Sequence, residues 1–89
     1  MEPAKRERRT REEITLAILN LLSEGDRTKT DIVYGLNLNF RTGDHYLGHL
    51  VEKGLVAWNE RTNRWYLTPA GEDCRKTLRK SLKAIEAIL

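Results

Sequence analysis

Two histidines, His45 and His49, have the spacing in this sequence that comes closest to a chemical site. Four residues apart on a helix, they would share one face, as a two-histidine pair of metal ligands does. No Glu stands between them in the pattern of a zinc protease, and the sequence holds no third histidine. The sole cysteine, Cys74, lies at helical spacing from Leu78 and fits a core position. We therefore expect no metal and no cofactor.

The chain also lacks the combinations that catalysis needs. It shows no nucleophile with a neighbouring base, no carboxylate pair in a pocket context and no phosphate-binding loop. Its net charge is only +3, but residues 1–11 hold five Lys/Arg against two Glu, whereas residues 12–37 hold two basic and five acidic residues. Such segregated charge makes a polyanion the first partner to consider. We expect a binding protein and not an enzyme.

Length and composition describe one small folded domain. The 89 residues are 39% hydrophobic and 33% charged, which is too apolar for a disordered chain and too charged for a membrane span. A core of this size favours stabilisation by a partner chain. The basic start lacks the apolar stretch of a secretory signal, so we expect a cytoplasmic, nucleoid-associated protein without a membrane contact.

Three helices are predicted in the first half of the chain. They run over about residues 11–24, from Thr28 to about residue 37, and over about residues 40–53. Thr10 with Glu13 has the spacing of a capping box, Thr28 with Asp31 repeats it, and Asn39 can cap the third helix. The second and third helices, joined by a short polar break, form a helix-turn-helix pattern.

A hairpin and a long helix follow. Residues 55–59 and 65–67 are β-prone and flank a polar turn, and Thr68-Pro69 then opens a helix that can continue to residue 89. The predicted fold class is mainly α with a small β-hairpin: a winged helix-turn-helix followed by a long C-terminal helix. We divide the chain into a basic tail (1–10), the winged helix-turn-helix domain (11–68) and a dimerisation helix (69–89).

Three strings of residues carry a family resemblance. They are Thr30–Asn39, then Tyr46–Val56, and finally the wing exit Tyr66–Gly71. In this order and spacing the chain resembles small archaeal winged-helix regulators and chromatin proteins over residues 12–72. The resemblance implies binding of double-stranded DNA through helix 3 and the wing, and a homodimer whose C-terminal helices form an antiparallel coiled coil. Gly43 and Gly48 depart from the family pattern, which usually has larger residues there.

Helical stepping identifies the residues that would contact DNA. Phe40, Gly43, Leu47, Leu50 and Val51 are expected on the buried side of helix 3, and the outward side carries Arg41, Thr42, His45, Gly48, His49 and Glu52. The N-terminal part of a recognition helix reaches the base edges, so the first candidates for DNA contact are Arg41, Thr42 and His45, followed by His49. Asp44 would repel phosphate and is expected beside the groove.

The wing and the N-terminal tail supply further candidates. Arg61 and Arg64 flank the wing turn and could reach phosphate or the minor groove. Trp58 and Trp65 are expected to form the hairpin core and not a base-stacking platform. The tail residues Lys5, Arg6, Arg8, Arg9 and Arg11 either follow phosphates or are simply solvated, and the sequence does not separate these two alternatives.

The last helix carries an apolar seam. Cys74, Leu78, Ser81, Ile85 and Ile88 follow steps of four and three, with Leu82 and Leu89 beside them. We expect Cys74 and the region around Leu78 to pack on the chain's own core, and the seam of Leu78, Leu82, Ile85, Ile88 and Leu89 to form a homodimer. One alternative is a monomer with a frayed last helix. The other is a winged-helix protein-interaction module without significant DNA affinity, which the acidic stretch from Glu12 to Asp31 and Asp44 favour.

Overall fold

The computed structural model describes residues 9–89, so Lys5, Arg6 and Arg8 lie outside the described residues. The elements are α1 (Arg11–Ser23), α2 (Lys29–Gly35), α3 (Phe40–Glu52), β1 (Val56–Asn59), β2 (Arg64–Leu67) and α4 (Pro69–Ile88). This order confirms the predicted fold class of three helices, a hairpin and a long closing helix.

Side-chain caps begin the helices as predicted. The hydroxyl of Thr10 accepts a hydrogen bond from the amide of Glu13 at 3.0 Å, and the Glu13 carboxylate accepts one from the Thr10 amide at 2.8 Å. Asn39 accepts from the amide of Thr42 at 2.8 Å and so caps α3. The second helix ends at Gly35, two residues earlier than predicted, and Asn37 just beyond it has a left-handed φ of 57°.

The core lies between α1 and the helix-turn-helix. It contains Ile14, Ile18, Leu19 and Leu22 of α1, Ile32 of α2, Leu47 and Leu50 of α3, and Val56 of β1. Phe40 and Val51, both expected on the buried stripe of α3, are instead exposed. Both lie at the edge of that stripe, near the two ends of α3.

Gly43 marks the close approach of α2 and α3. A Cβ at this position would meet Cγ2 of Val33 at 2.7 Å, closer than real side-chain contacts allow. The glycine at the buried face of α3 is therefore a packing requirement, which explains one of the two departures from the family pattern.

The wing is a two-stranded antiparallel hairpin. Val56 pairs with Leu67 and Trp58 with Trp65, and Arg27 adds a bridge to the backbone of Trp65. Trp65 packs against the core as predicted. Trp58 packs against Trp65 across the hairpin, with the ring centroids 4.9 Å apart and the ring planes tilted by 56°, but it is 41% exposed and so is only partly in the predicted hairpin core.

The wing is joined tightly to α4. The hydroxyl of Thr68 donates to the carbonyl oxygen of Gly54 at 2.7 Å and accepts from the amide of Gly71 at 3.0 Å. The amide of Thr68 donates to the carbonyl of Leu55 at 3.1 Å. Gly71 is buried, and a Cβ there would collide with the Leu55 carbonyl. The first turn of α4 thus lies directly on the backbone that enters the wing.

Helix α4 packs along α1. Cys74 packs against the core as predicted, and Nη1 of Arg75 donates to Oδ1 of Asn20 at 3.1 Å. Arg75 also donates from Nε and Nη2 to the two carboxylate oxygens of Glu72, at 2.9 and 2.7 Å. This bidentate pair lowers the pKa of the Glu72 carboxyl, chiefly through the hydrogen bonds and also by the charge of Arg75.

Candidate nucleic-acid interface

The outward face of α3 carries most of the residues that the sequence singled out for DNA contact. Arg41, His45 and His49 are exposed, whereas Thr42 is half-buried. Gly43, Leu47 and Leu50 are buried on the opposite side. The centre of this face therefore contains Arg41, His45, Gly48 and the exposed acid Glu52, with Thr42 and His49 along one edge.

The second glycine of α3, Gly48, has open space around it. No heavy atom lies within 4 Å of a Cβ built at this position. Unlike Gly43, it is not required by the packing of the chain itself. Its place on the outward face leaves the backbone of α3 accessible to an approaching partner.

Asp44 lies at the other edge of the face, towards α2. Its Oδ1 accepts a hydrogen bond from Nζ of Lys29 at 2.7 Å. The pair is largely solvent-exposed, with side-chain exposures of 39% for Lys29 and 59% for Asp44. Lys29 therefore partly neutralises the one acid in the first half of α3.

An exposed aromatic pair, which was not predicted from the sequence, borders the same edge. Tyr34 of α2 is 71% exposed, and its ring meets the ring of Phe40 edge to face at 5.9 Å between centroids. Nζ of Lys29 lies 5.8 Å from the centre of the Phe40 ring. The available signal was Tyr34 itself, which follows Ile32 and Val33 but falls outside their buried stripe.

The wing tip holds the two remaining predicted contacts. Arg61 and Arg64 are both exposed, and the turn between them contains Asn63 with a left-handed φ of 61°. The amide of Arg61 donates to Oδ1 of Asn59 at 3.0 Å, which fixes the start of the turn. Nη1 of Arg64 lies 3.5 Å from the carbonyl oxygen of Asp26, so this side chain leans towards the loop between α1 and α2.

The predicted dimerisation residues fall into two groups along α4. Leu78 and Leu82 are half-buried against their own domain. Ile85, Ile88 and Leu89 are 50, 82 and 97% exposed. The apolar seam therefore continues beyond the part of the domain that covers it.

Within residues 9–89 the structure contains no helix with the length and hydrophobicity of a membrane span. No group of three or more His, Cys, Asp or Glu side chains in the range is arranged to hold a metal ion, and His45 and His49 have no such neighbours.

Comparison with known proteins identifies the fold family. The winged helix-turn-helix family matches residues 8–86. The uncharacterized protein MJ0287 of Methanocaldococcus jannaschii is 30% identical over 74 residues, which are 83% of this chain and 74% of that protein.

Solved structures with the same architecture include two proteins described as DNA-binding. Sso10a-2, a DNA-binding protein from Sulfolobus solfataricus, matches with a TM-score of 0.81 and 26% identity, over 90% of this chain and 85% of that one. The homodimeric winged helix-turn-helix DNA-binding domain of Mb0332 from Mycobacterium bovis, a possible ArsR-family transcriptional regulator, matches with a TM-score of 0.60 and 29% identity. That match covers 82% of this chain and 68% of the other.

Proposed function

The chain belongs to the winged helix-turn-helix family, and we propose that it binds double-stranded DNA as a homodimer, acting as a transcription regulator or a nucleoid-associated protein. Helix α3 enters the major groove, and the wing contacts the backbone or the minor groove. The observation that carries this proposal is the exposed face of α3, where Arg41, His45 and the open backbone at Gly48 lie together. The DNA-binding descriptions of Sso10a-2 and Mb0332 support it.

Each group of side chains has a distinct role in this proposal. The fork of Arg41 reads guanine, Thr42 and His45 make further contacts at the base edges, and His49 contacts the nearby backbone. Arg61 and Arg64 on the wing neutralise phosphates. Because the base contacts are few, much of the DNA affinity comes from phosphate contacts and from the simultaneous binding of two α3 helices in one dimer.

The dimer forms through α4. Residues 69–89 then act as the dimerisation helix, and residues 11–68 as the DNA-binding unit. The exposed Ile88 and Leu89 support this division, because full burial by a partner would stabilise each by about 1.5–3 kcal/mol, and the half-exposed Ile85 by about half of that. In a two-fold dimer the geometry of α4 sets the separation of the two DNA half-sites.

A salt series tests the proposal directly. Fluorescence anisotropy with labelled duplex DNA should give a linear fall of log affinity with log salt, with a slope of about −0.9 for each phosphate neutralised. Unlabelled specific and mixed competitor DNA distinguishes a sequence-reading regulator from a general nucleoid protein. A slope near zero would refute phosphate-driven binding.

A protein-interaction module is the second candidate, and the exposed pair of Tyr34 and Phe40 favours it. Exposed aromatic side chains of this kind are common in protein interfaces. This candidate predicts that DNA affinity at physiological salt is no better than millimolar.

A further inference from the structure

Phe40 is the first residue of α3, and its side chain is 41% exposed although it carries a large apolar ring. It stands between the cap residue Asn39 and Arg41, the residue proposed above to read guanine. In a helix-turn-helix, this end of the recognition helix reaches the base edges. The fold therefore leaves an apolar side chain uncovered at the end of α3 that would contact bases.

Two neighbours from α2 hold the Phe40 ring in place. The ring of Tyr34 meets it edge to face, with an interplanar angle of 74°. Nζ of Lys29 lies 5.8 Å from the ring centre and is itself held by Oδ1 of Asp44 at 2.7 Å. A side chain that is already fixed loses little conformational freedom on binding, so more of the free energy of its contact with a partner is retained.

The major groove of duplex DNA offers a matching apolar group, the methyl group of thymine. None of the other three bases carries this group. Because Phe40 directly precedes Arg41, DNA that brings a base edge to Arg41 brings the Phe40 ring to the same base pair or to its neighbour. A contact between the ring and the methyl group removes two apolar surfaces from water and takes no donor or acceptor of the side chain with them.

We propose that Phe40 recognises the methyl group of thymine in the major groove, and that Tyr34 positions its ring. The inference rests on the DNA binding proposed above. It adds a source of sequence preference that does not depend on hydrogen bonds. The expected preference is for an A·T pair at or beside the base pair that Arg41 contacts.

Positive charge around the ring favours DNA over a protein as the partner. Lys29 lies over the ring, and Arg41 is the next residue along the chain and is exposed. Lysine is depleted at the centres of protein interfaces, whereas phosphates border the major groove on both sides. A protein partner would use the same two rings, but its binding would not respond to a methyl group on DNA.

Replacing thymine by uracil tests the contact, because uracil lacks only the C5 methyl group. Two labelled duplexes share one A·T-rich sequence with G·C pairs at both ends and contain either thymine or uracil. Fluorescence anisotropy gives the affinity of the parent protein and of each variant for both duplexes.

The variants are Phe40→Ala, Tyr34→Ala and Tyr34→Phe. The control is Val51→Ala, which shortens another exposed apolar side chain near the opposite end of α3. Circular dichroism establishes which variants are folded. If Phe40→Ala unfolds, Tyr34→Ala takes its place, because the Tyr34 side chain is 71% exposed.

The parent protein should bind the thymine duplex about fourfold more tightly than the uracil duplex for each methyl group contacted, as burial of one such group implies. Phe40→Ala should reduce this ratio to about one, and Tyr34→Ala should lower it. Tyr34→Phe, which keeps the ring, and Val51→Ala should both retain it. The salt dependence of binding should be unchanged in all four variants, because none of them alters a charge.

Equal affinity of the parent protein for the two duplexes would overturn the proposal and leave DNA binding itself intact. A ratio that persists in Phe40→Ala would also overturn it, since another side chain, such as Thr42, would then contact the methyl group. Binding of neither duplex refutes the proposed function together with this contact.

Discussion

Asp44 of α3 and Lys29 of α2 form an ion pair across the helix-turn-helix, with 2.7 Å between Oδ1 and Nζ. The pair joins residues 15 positions apart and sits at the edge of the proposed DNA-reading face. Because both side chains are largely exposed, we expect it to contribute at most about 1 kcal/mol to stability. The pair has a larger effect on the positive charge that the DNA-reading face offers. While the Lys29 ammonium is paired with Asp44, it is less available to contact a phosphate.

Replacing Asp44 by Asn should therefore strengthen DNA binding. We expect a several-fold gain in affinity at low salt and a steeper salt dependence, by about 0.9 in slope if Lys29 gains one phosphate. Anisotropy measures both quantities. Asp73→Asn, at an exposed acid of α4, makes the same change in net charge elsewhere and is the control. An equal gain in both variants would mean that only net charge matters.

The two glycines of α3 should respond to alanine in opposite ways. Gly48→Ala adds a Cβ in open space and should raise stability by about 1 kcal/mol through helix propensity. Gly43→Ala should lower stability, because its Cβ would meet Cγ2 of Val33 at 2.7 Å. Thermal unfolding by circular dichroism measures both.

Gly48→Ala should bind DNA more weakly than the parent protein, although its fold is more stable. Such a separation of stability from affinity follows only if DNA approaches the backbone of α3 at this position. Unchanged affinity would show that the DNA does not come close to Gly48.

Arg41→Ala should remove the main base contact. We expect a loss of about 1–3 kcal/mol in affinity for a preferred sequence, and a smaller loss for mixed DNA. The control is Arg79→Ala, which removes one positive charge from the exposed side of α4 and leaves α3 unchanged. If both variants lose equal affinity for all duplexes, Arg41 contacts phosphate and does not read sequence.

Charged residues in the apolar end of α4 should prevent dimerisation. Ile88→Asp acts on an exposed side chain and should give a folded monomer by light scattering, with sharply weaker DNA binding. Leu82→Asp should do the same but also lower the melting temperature, since Leu82 is half-buried against its own domain. Persistence of the dimer in both variants would exclude α4 as the interface.

Because of the Glu72–Arg75 pair, we expect the stability of the fold to depend on pH in the acidic range. Because the folded-state pKa of Glu72 lies below its ordinary value of 4.5, the stabilisation is complete above that value and is lost as the pH falls through the lower folded-state pKa. Glu72→Gln should therefore have a lower melting temperature than the parent protein at pH 7. The difference between the two melting temperatures should be smaller at pH 3. A constant gap across this range would contradict the assignment.

Local signals in the sequence account for most of the predicted fold. The capping residues Thr10, Thr28 and Asn39 act within three residues of their partners, so the sequence alone locates the helix starts. Helical periodicity likewise separates buried Leu47 from exposed His45. Such interactions do not depend on how the elements are arranged in space.

What the sequence did not predict depends on contacts between distant segments. Phe40 has a core-like side chain, but its ring packs on Tyr34 at the surface because the turn at Asn37 brings α2 and α3 together there. Lys29 and Asp44 meet for the same reason. The groove where α1, α3 and α4 meet combines residues from Arg11 to Leu78 and has no signature in any one segment.

The junction at Thr68 and Gly71 would limit the half-site separations that a dimer can bind on DNA. The hydrogen bonds between Thr68 and residues 54 and 55, together with the buried Gly71, leave no flexible linker between the wing and α4. A change in the angle between two paired α4 helices would therefore move each wing as a rigid extension of its helix. Such a dimer would tolerate only a narrow range of half-site separations, so inserting half a helical turn between the half-sites should abolish binding by both halves at once.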